Sequence, residues 1–252
     1  MLRSEGPRER ILLMGGWGTG KSTAAVNIIT MARKTQSDAV MYVVDTTYEA
    51  ERNFDGIEGV KIGTVESWKD YMATIKKFRQ EARKQDWLVV DRMDVVWDAA
   101  QAGYSEEAFG KEIDEWFVQF RKDGGAGHAF SGDYGTHWGT IKRMYGAFVT
   151  ELMRWPGHVL VTAKAEHVME PSRDGKGGDS QEIRGLYGKY GVRPGGEKNL
   201  GFSFHTTLWL NEPKRGEWQF TTIRDRNREQ VSNKKMEGFV VSYLVQVAGW
   251  KL

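Results

Sequence analysis

The stretch Gly15-Gly16-Trp17-Gly18-Thr19-Gly20-Lys21-Ser22 decides the fold of this 252-residue chain. It fits the pattern Gly-x-x-x-x-Gly-Lys-Ser/Thr of a phosphate-binding loop, or P-loop. The apolar run of residues 10–14 precedes it, and apolar residues at helical spacing follow it in residues 21–34. A strand, a glycine-rich turn and a helix in this order are the context that the motif requires.

The residue types of this stretch suit the phosphates of a nucleotide and a Mg²⁺ ion. Glycines let the backbone curl so that successive N–H groups point at phosphate oxygens, and the start of a helix adds partial positive charge. Lys21 is predicted to reach the β- and γ-phosphates, and the Ser22 hydroxyl to ligate Mg²⁺. Thr23 is placed to touch the α-phosphate. We therefore expect residues 15–23 to bind the nucleotide.

A P-loop needs an acidic residue on a neighbouring strand to hold Mg²⁺ through water. Two apolar runs, residues 39–45 and 87–91, each end in an aspartate. Asp91 is the preferred candidate because it lies past the second strand and a helix. Asp45 is the alternative.

The apolar periodicity predicts an α/β fold. Strands are predicted at residues 10–14, 39–45, 87–91, 158–162, 206–210 and 218–223. Helices are predicted at residues 21–34, 66–84, 105–122 and 138–155. Their alternation implies a mainly parallel twisted sheet with helices on both faces, with the last two strands forming a hairpin or an edge extension. We expect one domain over residues 1–252, with an insertion at 103–139 and a long flexible loop at 168–201.

Composition sets limits on the class of protein. Hydrophobic residues make up 40% and charged residues 28%, and the net charge of +2 is too mild to indicate a nucleic-acid partner. The lack of cysteine excludes disulfides and thiolate metal sites, and the five histidines have no spacing typical of a metal site. The charged N-terminus and the lack of an apolar run of roughly 20 residues predict a cytoplasmic protein with no membrane span.

The order of these motifs resembles that of the RecA-like ATPases carried by phages. These include the small single-strand-annealing recombination ATPases and a wider group of phage nucleotide-binding proteins with an AAA domain. The resemblance covers most of residues 9–228, and Thr-Ala-Lys-Ala-Glu-His at 162–167 and Ile-Arg-Asp-Arg at 223–226 carry much of it. Arg92 follows Asp91, so the two adjacent acids of AAA+ machines are absent. The resemblance implies a RecA-like core that hydrolyses ATP with Mg²⁺, located in the host cytoplasm if the protein is phage-encoded.

The resemblance also implies roles for residues outside the P-loop. RecA-like ATPases place a catalytic glutamate after the second strand, which favours Glu49, with Glu51 as the alternative. They place a polar γ-phosphate sensor at the end of the fourth strand, where Thr162 fits and His167 is a weaker candidate. Basic residues near the last strand reach the γ-phosphate of a neighbouring subunit. The candidates here are Arg224, Arg226 and Arg228, and they imply a homo-oligomeric ring or filament.

RecA-like proteins bind single-stranded DNA with the loops that follow the Asp strand and the sensor strand. The second loop holds six basic residues and two tyrosines that could stack on bases. They are Arg173, Lys176, Arg184, Lys189, Arg193, Lys198, Tyr187 and Tyr190. Six acidic residues balance these charges, so the basic excess is confined to residues 184–198. The first loop carries Phe130, Tyr134 and Trp138, and could instead form a lid over a substrate.

Three functions are compatible with these features. The leading hypothesis is a DNA-dependent ATPase of phage recombination or repair that acts with single-stranded DNA. The second is the ATPase motor of DNA packaging or helicase loading. The third is a small-molecule kinase whose substrate lies under the insertion at 103–139.

Overall fold

The computed structural model of the protein describes residues 8–125, 136–172, 177–214, 216–238 and 240–250. The strands are β1 (Arg10–Gly15), β2 (Met41–Asp45), β3 (Val60–Thr64), β4 (Trp87–Asp91), β5 (His158–His167), β6 (Val192–Pro194), β7 (Thr206–Lys214), β8 (Glu217–Asp225) and β9 (Lys235–Glu237). The helices are α1 (Lys21–Thr35), α2 (Ala50–Asn53), α3 (Trp68–Glu81), α4 (Met93–Phe109), α5 (Ile113–Lys122), α6 (Thr136–Met153), α7 (Gln181–Tyr187), α8 (Leu200–Ser203) and α9 (Val240–Gln246).

The strands form one sheet in the order β3-β2-β4-β5-β1-β7-β8-β9, and β6 pairs with the far end of β5. Within this order β3, β2, β4, β5, β1 and β7 run parallel to one another, and β8 and β9 extend the sheet beyond β7 as antiparallel strands. The predicted α/β class with a mainly parallel sheet is confirmed, as is the terminal hairpin. We call the edge where β1, β2 and β4 end, at Gly15, Asp45 and Asp91, the carboxyl edge. The opposite edge, where β1 and β5 begin, is the amino edge.

Both faces of the central strands are buried, which explains their continuous apolar runs. Ile11 and Leu13 on β1 pack towards α1 and α9, and Leu12 packs on the other face with α3 and α6. Side chains alternate across each strand, so residues of both parities are buried in the middle of the sheet. Polar groups are therefore tolerated mainly where the strands end. This arrangement confines the candidate chemistry to the edges of the sheet.

The predicted helix at residues 105–122 is wrong in its extent. α4 ends at Phe109, and Gly110 closes it in the left-handed conformation with φ 64°. α5 then begins at Ile113 and runs to Lys122. A glycine at this position ends helices because it adopts positive φ without a steric penalty.

The described part of residues 168–201 is not a featureless loop, so that prediction is corrected. It contains α7, a short 3₁₀ turn at Gly188–Tyr190, β6 and the start of α8. Ser180 begins α7 by accepting a hydrogen bond from the Ile183 N–H at 3.3 Å. Ile183 and Tyr187 are buried in a small cluster with Met14 of β1. The segment therefore covers one face of the sheet. Its elements are too short for their periodicity to be visible in the sequence.

A buried polar network closes the amino edge. Arg10 donates to the carbonyls of Trp155 and Gly157, each at 2.6 Å. The His158 ring stacks on Trp87 with centroids 4.9 Å apart, and its Nδ1 accepts the Glu9 N–H at 3.1 Å. Burial, aided by the charge of Arg10, lowers the pKa of His158 to about 3. The imidazole is therefore neutral in the folded protein.

Among the described residues, no helix combines the length and apolar character that a membrane crossing needs.

We predict that His158 makes the protein less stable as the pH falls. Below the ordinary pKa of 6.5 the unfolded chain binds a proton that the folded chain refuses until about pH 3. In that window, His158 lowers the free energy of unfolding by about 1.4 kcal/mol for each unit by which the pH falls. Urea unfolding between pH 6.5 and 4.5 should give a shallower dependence for His158→Gln than for wild type. The exposed His167→Gln serves as the control and should match wild type. Equal slopes for wild type and His158→Gln would refute the assignment.

Candidate active site

The P-loop joins β1 to α1 at the carboxyl edge. Gly18 and Gly20 have φ of 70° and 87°, a region that disfavours other residues. A side chain at Gly15 would place its Cβ 2.5 Å from the Thr19 hydroxyl and 2.8 Å from the carbonyl of Leu210. The Thr19 hydroxyl donates to the Gly16 carbonyl at 3.0 Å and braces the loop. The tight curl needs these glycines, and Gly20 caps α1 so that the helix start faces the loop.

Lys21 lies across the mouth of the P-loop. Its ammonium donates to the carbonyls of Gly15 and Gly16 at 3.1 and 2.6 Å. Burial lowers the pKa of Lys21, the nearby Asp91 opposes this shift, and Arg92 adds to it. A cation held in this position is suited to bind phosphate oxygens.

The Asp91 carboxylate connects three elements. The Ser22 hydroxyl at the start of α1 donates to Asp91 Oδ2 at 3.3 Å. The Thr162 hydroxyl on β5 donates to Asp91 Oδ1, and Thr46 donates to the Asp91 carbonyl. We call Ser22, Asp91 and Thr162 the Asp91 network. It brings together three residues that the sequence singles out from positions up to 140 residues apart.

The Asp45 carboxylate has a structural role. It is buried at the end of β2, where it accepts the N–H groups of Thr47 at 3.1 Å and of Ala50 at 3.0 Å. These bonds shape the turn into α2 and engage both oxygens. The geometry therefore favours Asp91 over Asp45 as the residue that holds Mg²⁺.

The two candidate glutamates lie beyond β2. Glu49 is exposed at the start of α2, and Glu51 is exposed in its first turn. Tyr48, which precedes Glu49, has φ 60° and is 62% exposed. Glu49 is near enough to Arg92 to help raise the pKa of that arginine. The structure thus places Glu49 beside the strand end that carries Asp91, and the choice between Glu49 and Glu51 stays a prediction.

The three candidate arginine-finger residues lie at the amino edge. Arg224 pairs with Thr207 near the start of β7, so it is at the opposite end of the sheet from the P-loop of its own chain. β8 ends at Asp225, and strand alternation therefore does not extend to Arg226 and Arg228. The three arginines are therefore not spaced along one face of a strand.

Arg228 is part of the buried amino-edge network. It forms ion pairs with Glu9 at 2.8 Å and Asp225 at 3.3 Å, and it donates to the Tyr243 hydroxyl at 2.9 Å. Arg226 is exposed, and it donates to the Phe202 carbonyl. The side chain of Arg228 therefore has a structural role within its own chain, which excludes it as a finger.

Several residues predicted to contact DNA are engaged inside the protein. Arg193 is buried and pairs with Asp179 at 3.0 Å and Glu166 at 3.2 Å, and Tyr187 is completely buried. These two predictions are wrong because both side chains hold the 177–201 segment against the sheet.

The other predicted DNA contacts have mixed positions. Arg184 pairs with Glu170 at 3.2 Å and Lys198 with Asp179 at 2.9 Å, both with partly exposed side chains. Lys189 is exposed, and both it and Tyr190 donate to Asn233. Trp138 lies in α6, where its ring stacks on that of Trp97. The remaining predicted residues, Arg173, Lys176, Phe130 and Tyr134, lie outside the described residues.

Comparison with known proteins identifies the family of the chain. The sequence model of a family described as AAA domain matches residues 8–185, which is more than half of the chain. The chain belongs to this family. The match contains the P-loop, Asp91 and Thr162. The protein is therefore a nucleotide-binding ATPase of the AAA P-loop class.

A solved structure has a similar fold. A KaiC-like protein from the hyperthermophilic archaeon Pyrococcus horikoshii OT3 is 15% identical, with 92% of this chain and 87% of that chain covered and a TM-score of 0.51. This similarity confirms the predicted RecA-like fold. No curated protein matches the sequence.

We predict separate losses for the two central residues of the site. Lys21→Ala should lower ATP turnover by about 10²–10³-fold because a fixed charge on the phosphates is lost. Asp91→Asn should raise the Mg²⁺ concentration needed for half-maximal turnover, since an amide holds a metal-bound water less well. Phosphate release measured across a Mg²⁺ titration checks both. The exposed Lys69→Ala and Asp55→Asn are matched controls. Wild-type turnover in Lys21→Ala would contradict the assignment of the P-loop as the active site.

Proposed function

We propose that the protein hydrolyses ATP with Mg²⁺ and couples hydrolysis to DNA. The observation that carries the hydrolytic part is the 3.3 Å contact between the Ser22 hydroxyl and the Asp91 carboxylate. A hydroxyl and a carboxylate oxygen are the ligands that a hard cation such as Mg²⁺ prefers. Ser22 would ligate the ion directly and Asp91 through water, which would neutralise charge on the phosphates.

The remaining residues of the site would orient the reactants. Thr162 fixes one oxygen of Asp91, which leaves the other directed at Ser22. Lys21 would bind the β- and γ-phosphates. Glu49 would accept a proton from the attacking water, with Glu51 as the alternative base. Thr162 would also report the state of the γ-phosphate to β5 and, through its pairing with β6, to the segment at 177–201.

The proposed DNA substrate rests on the resemblance to phage recombination ATPases and on a small exposed basic surface. The Lys189 ammonium lies 5.0 Å from the centre of the Tyr190 ring, and Arg184 is partly exposed in the same segment. All three belong to the segment that β5 contacts through β6. A basic surface with an aromatic ring is suited to the phosphates and bases of a single strand. The alternative functions for the same ATPase are DNA packaging and helicase loading.

We predict that single-stranded DNA raises the ATPase rate more than duplex DNA does. The rate should be measured with no DNA, with single strands and with duplex at several salt concentrations. Replacing Arg184 and Lys189 together with alanine should weaken the stimulation and flatten its salt dependence, since each lost phosphate contact removes about one released counterion. Replacing the exposed Lys69 and Lys76 is the control for charge alone. A rate that no form of DNA changes would remove DNA from the proposed function.

A cleft in the insertion favours one different activity, that of a small-molecule kinase. Its volume is about 470 Å³, and it lies between the end of α4 and α5. It is lined by Phe109, Lys111, Trp116, Gln119, Phe120, Asp123 and Gly125. In a kinase, this open depression lined by aromatic side chains would hold the small phosphate acceptor. A kinase would transfer phosphate to an acceptor without releasing inorganic phosphate, so the DNA experiment with phosphate detection separates the two functions.

The proposed homo-oligomer rests on the position of Arg224 and Arg226. Both lie at the amino edge, whereas the P-loop of the same chain lies at the carboxyl edge. From there neither arginine can reach the P-loop of its own chain, so a γ-phosphate that either one contacts would belong to a neighbouring subunit. Such a residue stabilises charge on the transferring phosphoryl group and is worth about 10³–10⁵ in rate.

We predict that two inactive variants rescue each other. Lys21→Ala has a dead site and an intact finger, and Arg226→Ala has the reverse, so mixed oligomers should contain some complete sites. Turnover of the mixture should exceed the sum of the separate proteins. Adding the double variant Lys21→Ala/Arg226→Ala in place of either partner should give no rescue. Activity per subunit that is independent of protein concentration, with no rescue for Arg226 or Arg224, would exclude a finger in trans.

A further inference from the structure

Arg92 has an unusual backbone next to the proposed site. It follows Asp91 directly and has φ 86° and ψ 95°. Among the described residues other than glycine, only Tyr48 and Asn233 also have positive φ. A residue with a side chain pays a steric cost in this region, and such strain is concentrated at functional positions. Glycine would fit the backbone better, so the arginine side chain itself needs an explanation.

Arg92 is held on both sides by elements of the site. Its N–H donates to the Thr162 hydroxyl at 3.1 Å, which is the same hydroxyl that contacts Asp91. Its guanidinium forms an ion pair with Asp94 at 2.6 Å. Asp94 also accepts the N–H of Lys164 on β5 at 3.2 Å, so it is fixed in turn. The side chains of Arg92 and Asp94 are only 33% and 12% exposed.

The guanidinium shares its surroundings with the other charges of the site. The bond to Asp94 is the main cause that raises the pKa of Arg92, and the charges of Asp91 and Glu49 add to it. Arg92 in turn helps to lower the pKa of Lys21. Lys21 and Arg92 are both positively charged and repel each other. An anion bound between them would attract both side chains and offset this repulsion.

We infer that Arg92 contacts the terminal phosphate of ATP within its own chain, and this inference rests on the proposed ATPase function. Asp94 holds the guanidinium beside the Asp91 network, at the same edge of the sheet as Lys21. Water attacks the γ-phosphorus and passes a proton to the proposed base, Glu49 or Glu51, and the bond to the bridging oxygen breaks with its electron pair leaving on ADP. The guanidinium donates to the γ-phosphate oxygens on which negative charge accumulates. Arg92 thus adds a second fixed cation in cis, separate from any finger supplied by a neighbour.

The variant Arg92→Gly tests this inference because glycine suits the backbone at φ 86°. The change relieves backbone strain, whereas alanine would keep it because alanine, like arginine, has a Cβ. Loss of fold through backbone strain is therefore not expected. We expect kcat to fall by about 10²–10³-fold, with the thermal midpoint close to that of wild type. Affinity for a non-hydrolysable ATP analogue should fall, and affinity for ADP should stay unchanged, since ADP lacks the γ-phosphate. Arg92→Lys keeps the charge without the planar fork and should be intermediate.

The control is Arg154→Ala, which removes an arginine that is 65% exposed near the amino edge. It should match wild type in every measurement. The inference is overturned if Arg92→Gly retains wild-type kcat, or if it loses ADP and analogue affinity equally. If the wild-type protein itself releases no phosphate from ATP, the proposed function fails instead. The comparison of analogue and ADP affinity then still decides whether Arg92 touches the terminal phosphate.

Discussion

The contact between the Ser22 hydroxyl and the Asp91 carboxylate is the interaction on which the rest of the site depends. It joins the start of α1 to the end of β4, although β5 lies between β4 and β1 in the sheet. This is possible only because β1, β4 and β5 run parallel, so that β1 and β4 end at the same edge on either side of β5. Thr162 on the intervening β5 completes the contact by donating to the second oxygen of Asp91.

The two edges of the sheet use the same residue types in different ways. At the amino edge, the buried Glu9 pairs at 2.8 Å with Arg228, whose side chain is 12% exposed, so their charges satisfy each other. At the carboxyl edge, Lys21 contacts backbone carbonyls and Asp91 accepts two hydroxyl groups. A cation and a carboxylate that are held near each other without an ion pair can both act on a ligand. This difference places the chemistry at the carboxyl edge.

The parts of the structure that follow from local sequence could be predicted. The P-loop, α1 and the strand that ends in Asp91 each have a signal within a few residues, because glycines, helical spacing and apolar runs are local patterns. Arg228 could not be assigned in this way, since its partner Glu9 is 219 residues away. Likewise, Arg193 appears as a free loop cation in the sequence, whereas Asp179 and Glu166 neutralise it in the fold. The indication of a role for Arg92 in the sequence was weak. It was only that an arginine follows Asp91 at the position where AAA+ machines have a second acidic residue.

The central claim is that the Asp91 network and the P-loop form one magnesium nucleotide site. The most direct measurement is a crystal structure with a non-hydrolysable ATP analogue and Mn²⁺, whose anomalous scattering locates the metal. We predict Mn²⁺ bound by the Ser22 hydroxyl and by two phosphate oxygens, with a water between the ion and Asp91. A metal bound away from Ser22, or an analogue whose phosphates lie outside residues 15–23, would contradict this account.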